Sequence, residues 1–291
     1  MAVTKKDVRQ FEAKIRGLQR SANSLSNEAR AQVLSSIEQS RLRVKDLITN
    51  YPKEVKALPA GDVPRLSAQI QSEVNAALNQ SIEAIRTAQL GAYDAALSAG
   101  YEVAEALGVT AAAFGPTVDL LSISMDYTAD LVRSIPADLM PKVNGELTRA
   151  ALGGKSPYEA MQSIDALIGK GGMEGVSYQA ERIVRTEVQR IYSVTLDAQI
   201  QRFAAMVPDA AQVMKKKWVS GGNRPGRRPQ HQEMDGVVVP FNEPFVMPDG
   251  TKLMYPRDPA GPPEHTIFCG CQFELVIEDS AEFVANAILS L

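Results

Sequence analysis

Arg228-Pro229-Gln230-His231-Gln232-Glu233-Met234-Asp235-Gly236 and His265-Thr266-Ile267-Phe268-Cys269-Gly270-Cys271-Gln272-Phe273-Glu274-Leu275-Val276-Ile277 hold both histidines and both cysteines of this 291-residue chain. The only tryptophan, Trp218, lies just upstream. The pattern of the sequence changes here. Nine of the 17 prolines fall between Pro225 and Pro263, whereas the first 207 residues hold seven. Apolar runs shorten in the same region. Val237-Val238-Val239, Phe245-Val246-Met247, Lys252-Leu253-Met254-Tyr255 and residues 272–277 read as short strands. Asp235-Gly236 and Pro248-Asp249-Gly250 read as turns, the second closing a hairpin. The expected fold is α+β: a mainly helical body over 1–176, then a small β-rich module over 177–291. That module opens with a helix at 177–205 and ends with one from Ser280 to about Leu289.

Working outward, the N-terminal part is helical in pattern. Val8, Phe11, Ile15, Leu18, Ala22, Leu25 and Ala29 are spaced alternately three and four apart, and Val33, Ile37, Val44 and Leu47 continue the stripe to Tyr51-Pro52. Such a stripe buries against a neighbouring helix or, in an oligomer, against another subunit. Asp62 or a neighbour caps a second long helix reaching roughly Leu107. Gly115-Pro116, Ser134-Ile135-Pro136, Gly153-Gly154 and Gly171-Gly172 then separate helices at about 117–133, 137–152 and 156–168. Ser156-Pro157-Tyr158-Glu159 is an N-cap, a first-turn proline and a capping-box glutamate. In the helix at 177–205, Val184, Val188, Ile191, Val194 and Ala198 form the expected buried stripe, with Glu181–Arg185 as a surface pair.

Composition sets bounds on function. Hydrophobic content of 45%, charged content of 22% and a net charge of −3 are those of a soluble globular protein. Bulk charge singles out neither nucleic acid nor a membrane surface as a partner. There is no long apolar run and no signal-peptide pattern at the start. Two cysteines one residue apart do not make a secreted disulfide framework, so synthesis in a reducing cytoplasm is expected.

Cys269-Gly270-Cys271 carries the clearest chemistry. In a flat strand, residues i and i+2 lie about 6.6 Å apart on one side. Two sulfurs on one zinc at ~2.3 Å each must come closer, so the chain has to bend, which Gly270 permits. His231 and His265 are the available nitrogens, giving a possible structural Cys2His2 zinc site of His231, His265, Cys269 and Cys271. Glu233, Asp235 and Asp258 are candidate carboxylates for a nuclease-like metal site, although acids beside turns are ordinary turn residues. A Cys–His hydrolase dyad is a further alternative, but no oxyanion element is legible. No catalytic residues are assigned. Residues 215–228 carry Lys215, Lys216, Lys217, Arg224, Arg227 and Arg228 without an acid. They read as a loop touching nucleic-acid phosphates or an acidic partner, or as a solvated loop beside a Trp-anchored strand.

The order of these features resembles the Mu F-like, or SPP1 gp7-like, family of phage minor head (head morphogenesis) proteins. The resemblance runs from Arg185-Thr186-Glu187 through Lys217-Trp218, Arg228-Pro229-Gln230-His231, Asp235-Gly236 and Tyr255-Pro256-Arg257-Asp258-Pro259 to Cys269-Gly270-Cys271, roughly residues 180–277. Phe268 and Gly270 stand where the family has asparagine and arginine. The resemblance implies a structural, non-enzymatic minor capsid protein of a tailed phage, made in the bacterial host and located in the virion, inside the head or at the portal. Its implied partners are the portal protein or major capsid protein and packaged double-stranded DNA, with roles in head assembly, packaging or DNA release. It also implies that His231, Cys269 and Cys271 form a structural unit, with His265 as fourth ligand of any bound metal.

Overall fold

The computed structural model describes residues 5–49, 51, 55–106, 118–169, 175–206, 214–221 and 228–277. The fold is α+β, mostly long helices followed by a small C-terminal set of antiparallel strands. The helices are α1 (Lys5–Thr49), α2 (Val63–Ala106), α3 (Val118–Ala151), α4 (Pro157–Ile168) and α5 (Val176–Met206), with two short ones, α6 (Pro229–Glu233) and α7 (Pro263–Thr266). The strands are β1 (Met214–Val219), β2 (Val238–Pro240), β3 (Phe245–Val246), β4 (Lys252–Leu253) and β5 (Gln272–Ile277). The expected terminal helix at 280–289, and Arg224 and Arg227, lie outside the described residues, as does the side chain of Val8. No described helix is long and apolar enough to cross a membrane.

The chain divides into two compact units, one of Met1–Ser26, Ala88–Ser124 and Arg185–Leu291, the other of Asn27–Thr87 and Met125–Val184. Helices α1, α2, α3 and α5 therefore each supply residues to both. The strand-bearing unit draws on the start of α1 and the end of α2 as well as on the C-terminal third.

In the all-helical unit, Val33, Ile37, Val44 and Ile48 of α1, Leu66, Ile70 and Ile85 of α2, Val132, Ile135 and Val143 of α3, and Ile164 and Ile168 of α4 are all buried. The Leu58 amide donates to the Ala150 carbonyl (3.0 Å), and Arg41 holds Asp165 (2.7 Å). The α4 start is the one expected: Ser156 Oγ accepts from the Glu159 amide (3.3 Å) while the Glu159 carboxylate accepts from the Ser156 amide (2.8 Å). The break expected at Ser134-Ile135-Pro136 is absent. Helix α3 runs unbroken through Pro136 and Pro141. Each proline removes one i→i−4 bond, but Val132, Ile135, Leu139, Met140 and Val143 form a continuous buried stripe across both. Tertiary burial outweighs the local penalty.

The α1 stripe also differs in phase. The buried positions include Gln19, Ser26 and Ile48, whereas Leu18, Leu25 and Leu47 are half-buried. Phe11, Ala22, Val33 and Val44, and Ile15, Ser26, Ile37 and Ile48, recur every 11 residues, so the stripe does not keep the 3.5-residue period of a left-handed supercoil. Gln19 is drawn inward by a partner in its own unit, donating through Nε2 to the Phe273 carbonyl of β5 (3.0 Å).

The sheet has order β2-β1-β5, all antiparallel, with Trp218 opposite Phe273 and Lys216 opposite Leu275. Strands β3 and β4 pair as the expected hairpin across Pro248-Asp249-Gly250, with Gly250 at φ 86°. Strand β1 alternates strictly: Met214, Lys216 and Trp218 face inward, Lys215, Lys217 and Val219 outward. The core beside the sheet is Met214, Trp218, Phe245, Leu253, Phe273 and Leu275. Helix α5 is buried on more than its expected stripe. Thr186, Glu187, Val188 and Gln189 are buried in succession, while Val194 and Ala198 are half-buried. The members of the expected surface pair have tertiary partners: Glu181 accepts from Arg30 (2.6 Å), and Arg185 lies over the Phe268 ring (5.0 Å).

Candidate metal centre

His231 sits on the single turn of α6, which Pro229 starts from its first helical position. The sequence around it fixes where the imidazole points. Arg228 donates to the Ile267 carbonyl (2.7 Å), tying the start of α6 to the loop before the cysteines. Asp235 accepts from the Ser220 amide (2.7 Å), and Gly236, at φ 81°, turns the chain so that its amide donates to Trp218 O (2.9 Å). The Trp218 indole stands edge-on to His231, with ring centres 5.6 Å apart. Arg228, Pro229, Asp235 and Gly236 thus fix the backbone on either side of one ring.

The cysteines arrive on the segment before β5. The left-handed residue there is Phe268 (φ 59°), not Gly270. A bulky side chain in that region costs roughly 1–2 kcal/mol, which asparagine, the residue of the resembled family, bears more easily. The neighbours hold it in place. The Phe268 amide donates to Thr186 Oγ1 (2.8 Å), and the ring packs beneath Arg185. Arg257, also left-handed (φ 70°) and fully buried, donates to the carbonyls of Cys269 (3.0 Å) and Cys271 and to Ser193 Oγ (3.0 Å). Asp258 accepts from the amides of Met254 (2.7 Å) and Ala260 (2.9 Å), closing the turn that carries Arg257.

The result is a compact donor set. His231 Nδ1 lies 3.4 Å from both Cys269 Sγ and Cys271 Sγ. All three donor atoms fall within 4.8 Å of one another, and all three residues are buried. Zinc bound tetrahedrally at about 2.3 Å to sulfur and 2.05 Å to nitrogen separates sulfur from nitrogen by about 3.5 Å. Two thiolates and an imidazole are the soft-to-borderline donors that select zinc over magnesium or calcium. The Cys269 thiol is held well below its ordinary range. Its contact with Cys271 is the main cause, with His231 and the Arg257 guanidinium adding to it against the opposing effect of burial. The cluster fits a metal ion with three ligands from this chain.

His265, expected as the fourth ligand, lies outside the three-residue donor set. It sits behind His231, its Nδ1 3.0 Å from His231 Nε2 and its Nε2 2.7 Å from Asp249 Oδ2. The two histidine rings are nearly parallel, at 12°. The carboxylates considered as metal ligands are placed elsewhere: Asp235 and Asp258 bind backbone amides, and Glu233 is exposed. Asp249, which sequence reasoning did not single out, is the acid that reaches the cluster. Its carboxyl is held low, at about 2, chiefly by the Thr251 amide and then by His265.

The basic segment is divided. Lys216 is 1% exposed and donates to the Met254 carbonyl (2.7 Å). Burial lowers its amine to about 8, against the attraction of Asp197 and Asp258. Burial likewise raises Asp197 to about 6, against the attraction of Lys216. Lys217 pairs with Glu274 (2.8 Å), Lys215 is half-buried on the outer face, and Arg228 reaches the Ile267 carbonyl.

No family model matches the chain, and no solved structure matches it. Over 103 residues it is 29% identical to an uncharacterized protein, YqbB, from Bacillus subtilis (strain 168). That stretch is 35% of this chain and 32% of that protein. The chain thus spans about a third of the length of the curated relative it matches.

Proposed function

We propose that this chain is a structural, non-catalytic component of a tailed-phage head, a minor capsid protein acting against the portal or major capsid protein during head assembly, packaging or DNA release. Its C-terminal strands are held by a zinc clip at His231, Cys269 and Cys271. The observation that carries this reading is the burial of the cluster: His231, Cys269 and Cys271 are 2%, 4% and 1% exposed. A catalytic cysteine or a nuclease metal needs access to substrate, whereas a clip needs to be closed. The residues of the phage-head resemblance also converge on this one place. Thr186, Arg228, Asp235, Arg257 and Asp258 all direct their polar atoms at backbone amides or carbonyls around it. Bound zinc would supply cross-linking of α6 to the start of β5. The protein's own residues orient the imidazole and fix the cysteine loop.

The deciding experiment is mass spectrometry of purified, DNA-filled particles from the phage or prophage whose genome carries this gene. The protein is expected among the virion components, and its absence there would refute the reading. Within the described part of residues 215–228, contact with packaged DNA gains little from Lys216, which is buried, or Lys217, which is paired.

A further inference from the structure

The hydrogen bonds behind the cluster run in one direction. Asp249 Oδ2 lies 2.7 Å from His265 Nε2, His265 Nδ1 lies 3.0 Å from His231 Nε2, and His231 Nδ1 faces the two sulfurs. A carboxylate only accepts, so it fixes the proton of His265 on Nε2 and leaves Nδ1 as an acceptor. His231 must then carry its proton on Nε2 and turn the bare lone pair of Nδ1 toward Cys269 and Cys271. That is the tautomer a metal requires. The geometry points to Asp249 and His265 as positioning residues for a metal at His231, Cys269 and Cys271, a two-step relay that sets the ligand tautomer from the tip of the β3–β4 hairpin. This inference rests on the clip reading above and adds two residues that no part of that reading needs.

The hairpin is built for the task. Asp249 uses its other oxygen, Oδ1, to accept from the Thr251 amide (3.0 Å), which fixes the carboxylate plane. Gly250 N donates to Met247 O (2.8 Å), and Phe245 at the hairpin base packs edge-on against Trp218 (5.2 Å). Trp218 in turn packs edge-on against His231. The hairpin therefore reaches the ligand along two routes, one polar and one apolar.

Asparagine at position 249 separates them. It has one acceptor where aspartate has two, so it cannot serve both Thr251 N–H and His265 N–H. If its amide nitrogen faces His265, the relay reverses and the proton of His231 moves to Nδ1, against the metal. Partners of this kind typically change metal affinity by about 10–100-fold.

The test uses the full-length protein stripped of metal and titrated with cobalt(II), then with zinc(II) against a chromophoric chelator. Wild type, Asp249→Asn, Asp249→Glu, His265→Leu and Cys269→Ser are compared. Wild type is expected to bind one equivalent with a thiolate-to-cobalt charge-transfer band, which Cys269→Ser weakens. Asp249→Asn and His265→Leu should lower affinity about tenfold or more and shift the cobalt d–d bands. Asp249→Glu, which restores a two-acceptor carboxylate, should recover part of the loss. The bands report ligand geometry, which a loss of fold stability alone would not shift while the protein stays folded. Should His265→Leu fail to fold, the partly exposed Asp249 still gives the answer. Wild type with no charge-transfer band would overturn the clip itself. Wild type that binds, with Asp249→Asn binding within twofold and showing the same spectrum, would overturn the relay and leave the clip standing.

Discussion

Replacing Arg257 by methionine probes what holds the cysteine loop. The guanidinium is fully buried and donates to the carbonyls of Cys269 and Cys271 and to the Ser193 hydroxyl. Methionine keeps the length of the stem and removes every donor. A hydrogen bond from a charged donor contributes about 1.5–3 kcal/mol, so three set an upper figure of about 5–9 kcal/mol. Removing one partner of a buried charged network costs about 3–5 kcal/mol in practice, because the groups left behind stay buried without their partner, while the burial cost of the lost charge offsets part of the upper figure. We expect that lower range. Arg257→Lys should lose about 2–4 kcal/mol, since a single ammonium does not reproduce the planar fork. Trp218 is the only tryptophan and is fully buried beside His231, so its fluorescence reports this region while far-UV circular dichroism reports the helices. In urea, with a slope of about 2 kcal/mol/M, the fluorescence midpoint should fall by roughly 1.5–2.5 M. A fall below about 0.3 M would show that the loop holds its shape without Arg257.

Further outcomes follow from the same geometry. Stripping zinc from loaded protein should lower stability by about 2.7 kcal/mol relative to protein in zinc at a hundred times Kd, and identical melting curves with and without chelator would contradict the clip. Lys216 gives a pH signature. Its folded value of about 8 lies below the ordinary 10.5, so between those pH values the unfolded chain holds a proton that the folded chain has released. Stability should therefore rise from about pH 8 to 10.5 relative to Lys216→Met, and a flat wild-type-minus-variant difference in urea midpoint would count against it. Ser156→Ala removes the cap of α4 and should cost about 1 kcal/mol in a thermal melt followed by circular dichroism, with no change in Trp218 fluorescence at low temperature.

The start of α4 was legible because its signal is local. Ser156 to Glu159 announces α4, and the short apolar runs among the prolines from Pro225 to Pro263 announce the later strands, whereas β1 falls largely in a stretch that reads as a basic loop. The unbroken α3 was not legible, because Pro136 and Pro141 advertise a break that only the buried faces of Val132, Ile135 and Val143 overrule. In the sequence Lys216 belongs to a basic run, although strand alternation places it beside Met214 and Trp218 on the inner face. Three of the four residues expected at the centre, His231, Cys269 and Cys271, do meet. His265 was placed by elimination as the remaining nitrogen, and no sequence spacing distinguishes a ligand from the residue hydrogen-bonded behind it. Asp249 was read only as a turn residue, and its second oxygen is visible only once the hairpin is folded.

The centre is best understood through the size of what surrounds it. Among the described residues, β2 has three residues and β3 and β4 two each, so outside the six-residue β1–β5 pair the strands bring few ladder bonds to the fold. Short strands joined by turns leave many backbone amides and carbonyls to be satisfied by something else. Among the side chains that satisfy them here are four of the phage-head resemblance: Asp235 for Ser220, Asp258 for Met254 and Ala260, Arg257 for Cys269 and Cys271, Thr186 for Phe268. An active site leaves polar groups poised toward a substrate. These are committed to the main chain, and the sulfurs they surround are closed to solvent. Traced through their partners, Asp235, Asp258, Arg257 and Thr186 form a brace for the main chain around the cluster, with Asp249 and His265 extending that bonding to the hairpin.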